Sequence, residues 1–353
     1  MSALSTPGTA TPAAYRGRGR GGARLTDLVW LTWRQHRSVI VAGLALAGVV
    51  TGSMLYVAAR IATINQECNN TACPPGSAQA ASLKGIFGLY NLSAYLTLIV
   101  MFLPLLVGVF LGAPLLAREH EQRTLLLAWS QDITPQRWLW TKFALLGALI
   151  AAADSAAPAA GHLEAMVSIA TGQSLFTLFS GGAFLVTGML PPLQSVAWLA
   201  VGVTLGAAYR RTLPAIFTAL TGYIAVLVLV VWRYPTLMTP LTAQVAAVGP
   251  GQGFTSRLGA NSLVFLQDTD TIYDASGHAM NPATVQSLCS SGNSGSLDDQ
   301  CLAQHHFMQV LRYQPGSRIP DFHLILACGY LALGAIAVAV VWWLVRRTSL
   351  SAG

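Results

Sequence analysis

The sequence has little charge. Only 9% of its 353 residues are Asp, Glu, Lys or Arg, whereas soluble domains carry about 25%. A water-soluble protein of this size cannot cover its surface with so few charged side chains. The hydrophobic share of 54% and the mean hydropathy of +0.54 agree with this. We therefore assign the chain to the integral membrane proteins.

Sequence motifs for nucleotide binding, catalysis, zinc binding and nucleic-acid binding are also absent. The sequence has no Gly-x-x-x-x-Gly-Lys-Ser/Thr phosphate loop, so we do not expect it to hydrolyse ATP by that route. It has no Gly-x-Ser-x-Gly elbow and no His-Glu-x-x-His helix. No four residues have the spacing of a zinc site, and no basic stripe is interleaved with aromatic residues. We expect no enzyme activity, no cofactor or metal, and no nucleic-acid partner.

Long apolar runs are frequent instead. A hydrocarbon core of about 30 Å requires about 20 apolar residues per helix. A run that begins at Phe143 is interrupted by Asp154, His162 and Glu164. Because Ala165–Met189 contains no charge, a seventh span or a re-entrant helix there stays open as an alternative. We predict six spans, and the other five are Val39–Ala59, Tyr95–Ala117, Leu190–Ala208, Leu213–Trp232 and His323–Val345.

The basic residues predict the orientation, because basic loops stay cytoplasmic. Four clusters lie before the first span and after the second, fourth and sixth spans. Six spans with both termini in the cytoplasm satisfy every cluster. Residues 1–23 should be a disordered basic tail near membrane lipids, and 347–353 a short cytoplasmic tail. The clusters are Arg16, Arg18, Arg20, Arg24, Arg34 and Arg37; Arg118, Arg123, Arg137 and Lys142; Arg210 and Arg211; Arg346 and Arg347.

The pattern of residues 24–37 predicts a helix that lies in the cytoplasmic interface of the membrane. Thr26 or Asp27 can cap its start. Trp30 and Trp33 lie three residues apart, and Trp prefers the headgroup level of a bilayer. A simple extension of the first span is the alternative.

Residues 233–321 are polar and too long for a bare connection between two spans. We predict a small extracellular subdomain with short helices near Asn281–Leu288 and Leu297–Tyr313. The cysteine spacing outside the membrane is compatible with two local disulfides, Cys68–Cys73 and Cys289–Cys301, although free thiols remain the alternative. The sixth span, 322–346, follows the subdomain.

One charge-dense segment lies between two apolar runs, from Arg118 to Lys142. The chain resembles the type-2 ABC exporter permeases, and more closely their actinobacterial branch. The resemblance rests on six spans, the helix before them and three stretches of sequence. The stretches are Trp30-Leu-Thr-Trp-Arg-Gln-His-Arg37, Ala113-Pro-Leu-Leu-Ala-Arg-Glu-His-Glu121 running into Thr124-Leu-Leu-Leu-Ala-Trp-Ser-Gln131, and Arg137-Trp-Leu-Trp-Thr-Lys142.

The resemblance implies an all-α six-helix bundle in the bacterial cell membrane. It also implies a coupling helix at 118–130 that contacts a separate ABC ATPase subunit, and a second permease copy or a related permease. Spans 1–5 occupy 38–232. Arg123 stands where the family often has Gly before Thr. Residues expected to couple are Arg118, Glu119, Glu121, Arg123, Leu126 and Trp129, with Glu119 and Arg123 in the favourable order for a helical pair.

The role of Asp154 stays open at this point. Ionisable groups inside a bilayer usually face a partner or water, so Asp154 is a candidate for the substrate path. Alternatively the third helix ends early, with Pro158 and Gly161 marking a break and with His162 and Glu164 at the outer surface. A non-transporting sensor with an extracellular ligand-binding subdomain is the second functional hypothesis, and a membrane enzyme is the third.

Overall fold

A computed structural model of the chain describes residues 25–69, 76–84, 88–122, 135–170, 179, 181–247, 262–265, 271–290 and 297–350. Six helices in this part of the chain are long and apolar enough to cross a membrane, in agreement with the predicted number. The protein is therefore a multi-pass membrane protein. The six candidate spans are Arg37–Ile64, Leu89–Glu121, Gln136–Ala156, Leu190–Tyr209, Thr212–Thr236 and Gly316–Arg347.

The helices of the membrane part follow in chain order. They are α1 (Leu25–Glu67), α2 (Ala78–Lys84), α3 (Leu89–Leu106), a π-helix (Val107–Gly112), α4 (Ala113–Glu121), α5 (Pro135–Ala170), α6 (Gly181–Val186), α7 (Leu190–Tyr209) and α8 (Thr212–Arg233). The last span, α11 (Ile319–Leu350), comes after the subdomain.

The first helix is continuous. The predicted interfacial helix at 24–37 is not separate from the first span, because α1 runs from Leu25 to Glu67 without a break. This is the extension that the sequence left open. The exposed side chains of Trp30 and Trp33 still lie near its start.

The second span combines three helical segments, α3, the π-helix and α4. Pro104 lies inside α3 and Pro114 at the start of α4, so both flank the π-helix. A proline lacks the N–H that an α-helix needs and its ring crowds the preceding turn. Two prolines this close together predict an irregular helix, and the structure has one in the wider turn of the π-helix between them.

The third helix does not end early, which was one of the two alternatives for this span. The helix does not end at Asp154, Pro158 or Gly161, because α5 continues to Ala170. The stretch Ala165–Met189 provides no further candidate span among the described residues. Within it, α6 is a helix of only six residues.

Helix α7 is the most buried of the six spans. Its glycines let two backbones touch. A Cβ atom at Gly202 would overlap with the carbonyl oxygen of Gly108, and one at Gly206 would overlap with the carbonyl oxygen of Ala113. A Cβ at Gly112 would lie 2.8 Å from the carbonyl oxygen of Leu199. The π-helix and α4 therefore pack directly against α7, as small residues permit in membranes.

The subdomain is not helical throughout, so the all-α assignment is wrong for this part. Its strands are β1 (Leu241–Ala246), β2 (Leu263–Val264), β3 (Ile272–Tyr273), β4 (Ala279–Met280) and β5 (Met308–Gln314). The antiparallel sheet has the order β1-β5-β3-β4, and β2 also pairs with β5. The helix predicted over Leu297–Tyr313 is wrong in its second half, where β5 lies.

Two short helices complete the subdomain, α9 (Pro282–Cys289) and α10 (Asp299–Gln304). Each begins at a side-chain cap: Asn281 accepts from the N–H of Ala283, and Asp298 from the N–H of Gln300. Helix α9 agrees with the prediction near Asn281–Leu288. The two helices are joined by a disulfide between Cys289 and Cys301, which is the predicted pairing. Cys68 is also disulfide-bonded, and Cys73 lies outside the described residues.

Candidate coupling site at the basic end of the bundle

One end of the helical bundle carries most of the described basic side chains, and we call it the basic end. Helix α4 finishes here, α5 starts here, and α7 turns into α8. A shared apolar core that includes Leu116, Trp138, Ala207 and Val341 holds these helix ends together. The exposed arginines at the basic end are Arg34, Arg37, Arg118, Arg137, Arg210, Arg211, Arg346 and Arg347.

Glu119 near the end of α4 forms an ion pair with Lys142 near the start of α5. The Nζ atom of Lys142 donates to Oε1 of Glu119 over 2.9 Å. The Lys142 side chain is 2% exposed and that of Glu119 is 19% exposed. Trp138 lies one turn earlier on α5, and the centre of its ring is 3.9 Å from the same Nζ atom. A cation over the face of an indole ring gains further electrostatic stabilisation.

This ion pair fixes the end of α4 against α5. When one partner of a buried pair is removed, the other charge is left buried, which typically costs about 3–5 kcal/mol. The two helices therefore keep their register where α4 ends and α5 begins.

Glu121 makes a second connection, to the start of α8. The N-cap residue of α8, Arg211, provides no side-chain hydrogen bond of its own. Instead, Oε1 of Glu121 accepts from the N–H of Thr212 over 2.7 Å, and Oε2 accepts from the Thr212 hydroxyl over 3.0 Å. A carboxylate at a helix N-terminus also interacts favourably with the helix dipole. The last turn of α4 thus contacts two other spans through two carboxylates.

The turn between α7 and α8 brings basic side chains to this contact. Arg210 adopts a left-handed conformation with φ of 53° and its N–H donates to the carbonyl of Gly206, which ends α7. Two residues therefore suffice to reverse the chain before Thr212. The exposed guanidinium groups of Arg210 and Arg211 lie at the same end of the bundle as Glu121.

The predicted coupling residues fall into two groups. Arg118, Glu119 and Glu121 occupy the last turn of α4, which continues the second span. Arg123, Leu126 and Trp129 lie outside the described residues, as does most of the coupling helix predicted at 118–130. Glu119 contacts Lys142, and the Glu119–Arg123 helical pair stays a prediction.

Asp154 lies away from the basic end, inside the bundle. Its residue is 5% exposed, and the side chain of Ser195 on α7 is beside it. Neither Oδ2 of Asp154 nor Oγ of Ser195 has a hydrogen-bond partner among the described residues. The carboxyl group is therefore not part of the contact between α4, α5 and α8. His162 and Glu164 belong to the later part of α5.

Sequence reasoning missed two functional candidates, Lys142 and Thr212. Lys142 carried a signal, since the chain has only two lysines and this one opens an apolar run. A lysine at such a position must either reach the headgroups or find an acid. Thr212 carried no comparable signal, because an acceptor from another helix cannot be read from local sequence.

Two family models match the chain. One is described as ABC-2 membrane transporter related and covers residues 39–233, which is more than half of the chain. The other is described as a domain of unknown function and covers residues 236–319, close to the limits of the subdomain. No curated protein and no solved structure is significantly similar to the chain. The membrane part thus provides the classification, and the chain belongs to the ABC-2 membrane transporter related family.

Proposed function

We propose that the chain is the permease subunit of an ABC exporter, which moves an amphipathic, drug-like or lipid-like substrate outward. A separate ABC ATPase subunit supplies the energy, and ATP hydrolysis takes place on that partner. The family match supports the ABC transporter assignment. The observation that carries the coupling role is the double contact of the last turn of α4, through Glu119 to Lys142 and through Glu121 to Thr212.

The partner ATPase docks on the cytoplasmic side, at the basic end. The segment 118–130 is the contact, and its exposed Arg118 adjoins the two carboxylates that hold α4. The arginine clusters support a cytoplasmic location for this end and for both termini, because basic loops are retained there. Six spans are half of the usual transport pathway, so the working unit is a homodimer or a pair with a related permease.

Motion of the ATPase passes into the bundle along a short route. A displacement of the end of α4 acts on α5 through a buried ion pair and on α8 through the Glu121 cap. It also acts on α7, because Gly202 and Gly206 bring the backbone of α7 against Gly108 and Ala113. Close-packed backbones do not slide independently, since nothing compressible lies between them. The second span changes its conformation at the π-helix as the motion passes through it.

A copurification experiment tests this function. The chain is expressed with its neighbouring genes and isolated in mild detergent. We expect an ABC ATPase to copurify and its hydrolysis to depend on the permease. The substitution Glu121→Lys should abolish this dependence, because it places a cation against the arginines and the N-terminus of α8. Glu67→Lys is the matched control, since Glu67 is exposed at the other end of α1.

Absence of any nucleotide-binding partner, together with normal function of Glu119→Lys and Glu121→Lys variants, would refute the proposal. Topology has its own test. In a cysteine-free background, a single cysteine at the exposed Gln122 should react with an impermeant reagent only after the membrane is opened. A cysteine at Ser276 in the subdomain should react in intact cells. Labelling of position 122 from outside contradicts the orientation.

A second candidate function is a non-transporting sensor whose subdomain binds a ligand. The observation that favours it is the apolar core of the subdomain, which includes Val245, Ile272, Val285, Leu302 and Leu311. Such a core supports a folded unit rather than a simple linker. Deletion of residues 251–300 separates the two candidates, because a sensor loses its function while a permease keeps the ATPase bound at the basic end.

A further inference from the structure

An apolar cavity of about 360 Å³ lies between α1, the region where α3 meets the π-helix, and α5. Its walls are formed by aliphatic and aromatic side chains, among them Ile40, Leu103, Leu111 and Leu149. Glu119, Glu121, Lys142 and Thr212 are not among the residues that line the cavity, so it takes no part in the contacts of the two carboxylates. Its composition suits the hydrocarbon part of a ligand.

Asp154 is the single ionisable residue among those that line the cavity. The residue is 5% exposed, and its Oδ2 atom has no hydrogen-bond partner. Within the described part of the chain, no basic side chain forms an ion pair with it. The Ser195 hydroxyl on α7 lies beside the carboxyl group and supplies no positive charge. A carboxyl group in such surroundings is costly unless something completes its contacts.

We propose that this cavity binds a cationic amphiphile, with an ammonium group at Asp154 and a hydrocarbon body against the apolar walls. A protonated amine supplies both a positive charge and N–H donors, which are what the free Oδ2 atom lacks. A neutral alcohol supplies a donor without charge, and a carboxylate is repelled. The proposal rests on the proposed permease function and specifies the substrate class of that function.

The ligand reaches the cavity from the side of the bundle. Leu44, Leu106 and Phe110 line the cavity and are also exposed, by 45%, 38% and 63%. They lie within the candidate spans formed by α1, α3 and the π-helix, so a bilayer around the single chain contacts them. The opening therefore admits a molecule that is already dissolved in the bilayer, and such entry suits an amphiphile that partitions there first.

Binding of head-group analogues to the full chain in phosphatidylcholine nanodiscs tests the proposal. The probes are radiolabelled dodecylamine, dodecanol and dodecanoate, with empty nanodiscs as background. We expect saturable binding of dodecylamine only. Asp154→Asn should weaken it at least tenfold, while Thr51→Val, which removes another unpartnered buried hydroxyl, should leave it unchanged. Equal binding of dodecanol and dodecylamine, or an unaltered Asn variant, overturns the proposal.

A steric pair of variants tests the location of the site independently of charge. Gly43 lines the cavity, and an added Cβ there meets no atom within 4 Å. Gly43→Leu should therefore fill the cavity and abolish binding without disturbing the fold. Gly48 on the same helix is equally unobstructed but does not line the cavity, so Gly48→Leu is the control. Unchanged binding in the Gly43 variant places the ligand elsewhere.

The ammonium group can belong to a free amphiphile or to a lipid head group. Nanodiscs in which part of the phosphatidylcholine is replaced by phosphatidylethanolamine distinguish these sources. Reduced dodecylamine binding there identifies the lipid amine as the occupant, and unchanged binding identifies a free amine. The permease function is tested separately. If the chain binds the amine but recruits no ATPase, the assignment of the cavity stands and the permease function is refuted.

Discussion

At the scale of single residues, Lys142 shows how a charge becomes compatible with the interior of a membrane bundle. Its ammonium group is enclosed by the Glu119 carboxylate and the ring of Trp138. Both partners are needed, because a buried ion pair repays its desolvation only with good geometry and further contacts. Asp154 is equally buried but has no such enclosure. The Glu119 carboxylate is therefore structural, and the Asp154 carboxylate is available to a ligand.

Replacement of Lys142 by Met should destabilise the protein by about 3–5 kcal/mol, because Glu119 is then left charged and buried. The double variant Glu119→Leu with Lys142→Met should recover most of that loss, since neither charge remains to be desolvated. Unfolding by titration with a denaturing detergent measures both effects. Glu119→Leu alone completes the comparison. If the losses of stability in the two single variants simply add in the double variant, the residues do not form the pair that we describe.

At the scale of secondary-structure elements, glycine spacing has two different outcomes. The spacings Gly108/Gly112 and Gly202/Gly206 bring the π-helix and α4 into backbone contact with α7. The spacing Gly48/Gly52 looks the same in sequence, but added Cβ atoms there meet nothing within 4 Å. The pattern predicts that two helices can approach, and the partner helix decides whether they do.

Gly202→Ala should therefore destabilise the bundle by about 1–3 kcal/mol, the usual cost of overpacking a close contact. The physical reason is overlap of the new Cβ atom with the carbonyl oxygen of Gly108. Gly48→Ala should have no measurable effect or a slight stabilising one, because alanine favours a helix over glycine. Thermal unfolding of the detergent-solubilised variants compares them. Equal stability of the two variants contradicts the packing.

At the scale of the whole molecule, the chain consists of a helical membrane part and a mixed α/β subdomain inserted between α8 and α11. The insertion is possible because β1 and β5 are antiparallel neighbours, with Leu241 opposite Tyr313. The chain thus enters and leaves the subdomain at one place. Gln314 reinforces this point, since its Nε2 atom donates to the carbonyl of Met238 over 2.7 Å.

Loss of the Cys289–Cys301 disulfide should destabilise the subdomain alone. A disulfide that closes a loop of about 15 residues contributes roughly 3 kcal/mol. Cys289→Ser with Cys301→Ser should therefore raise the hydrogen-exchange rates of strands β1 and β5 and leave those of α7 unchanged. Cys328→Ser is the control, because Cys328 is not disulfide-bonded. Increased exchange throughout the membrane part would show that the two parts do not unfold independently.

The sequence by itself determined the membrane class and the six spans. These properties depend on composition and on apolar length, which are local. Local reasoning was insufficient for α5, because Asp154 and Pro158 look like a helix end. A membrane helix tolerates a proline when its neighbours satisfy the freed backbone groups, and a sequence does not reveal those neighbours.

Only the tertiary structure decided which polar residues meet. Glu119 and Lys142 lie 23 positions apart, and Glu121 and Thr212 lie 91 positions apart. The strand β5 was likewise assigned to a helix, because strand pairing over long separations leaves no local periodicity in a short polar segment. Composition and hydrophobic length are properties of one segment, whereas burial, ion pairs, caps and cavities are properties of two or more segments brought together by packing.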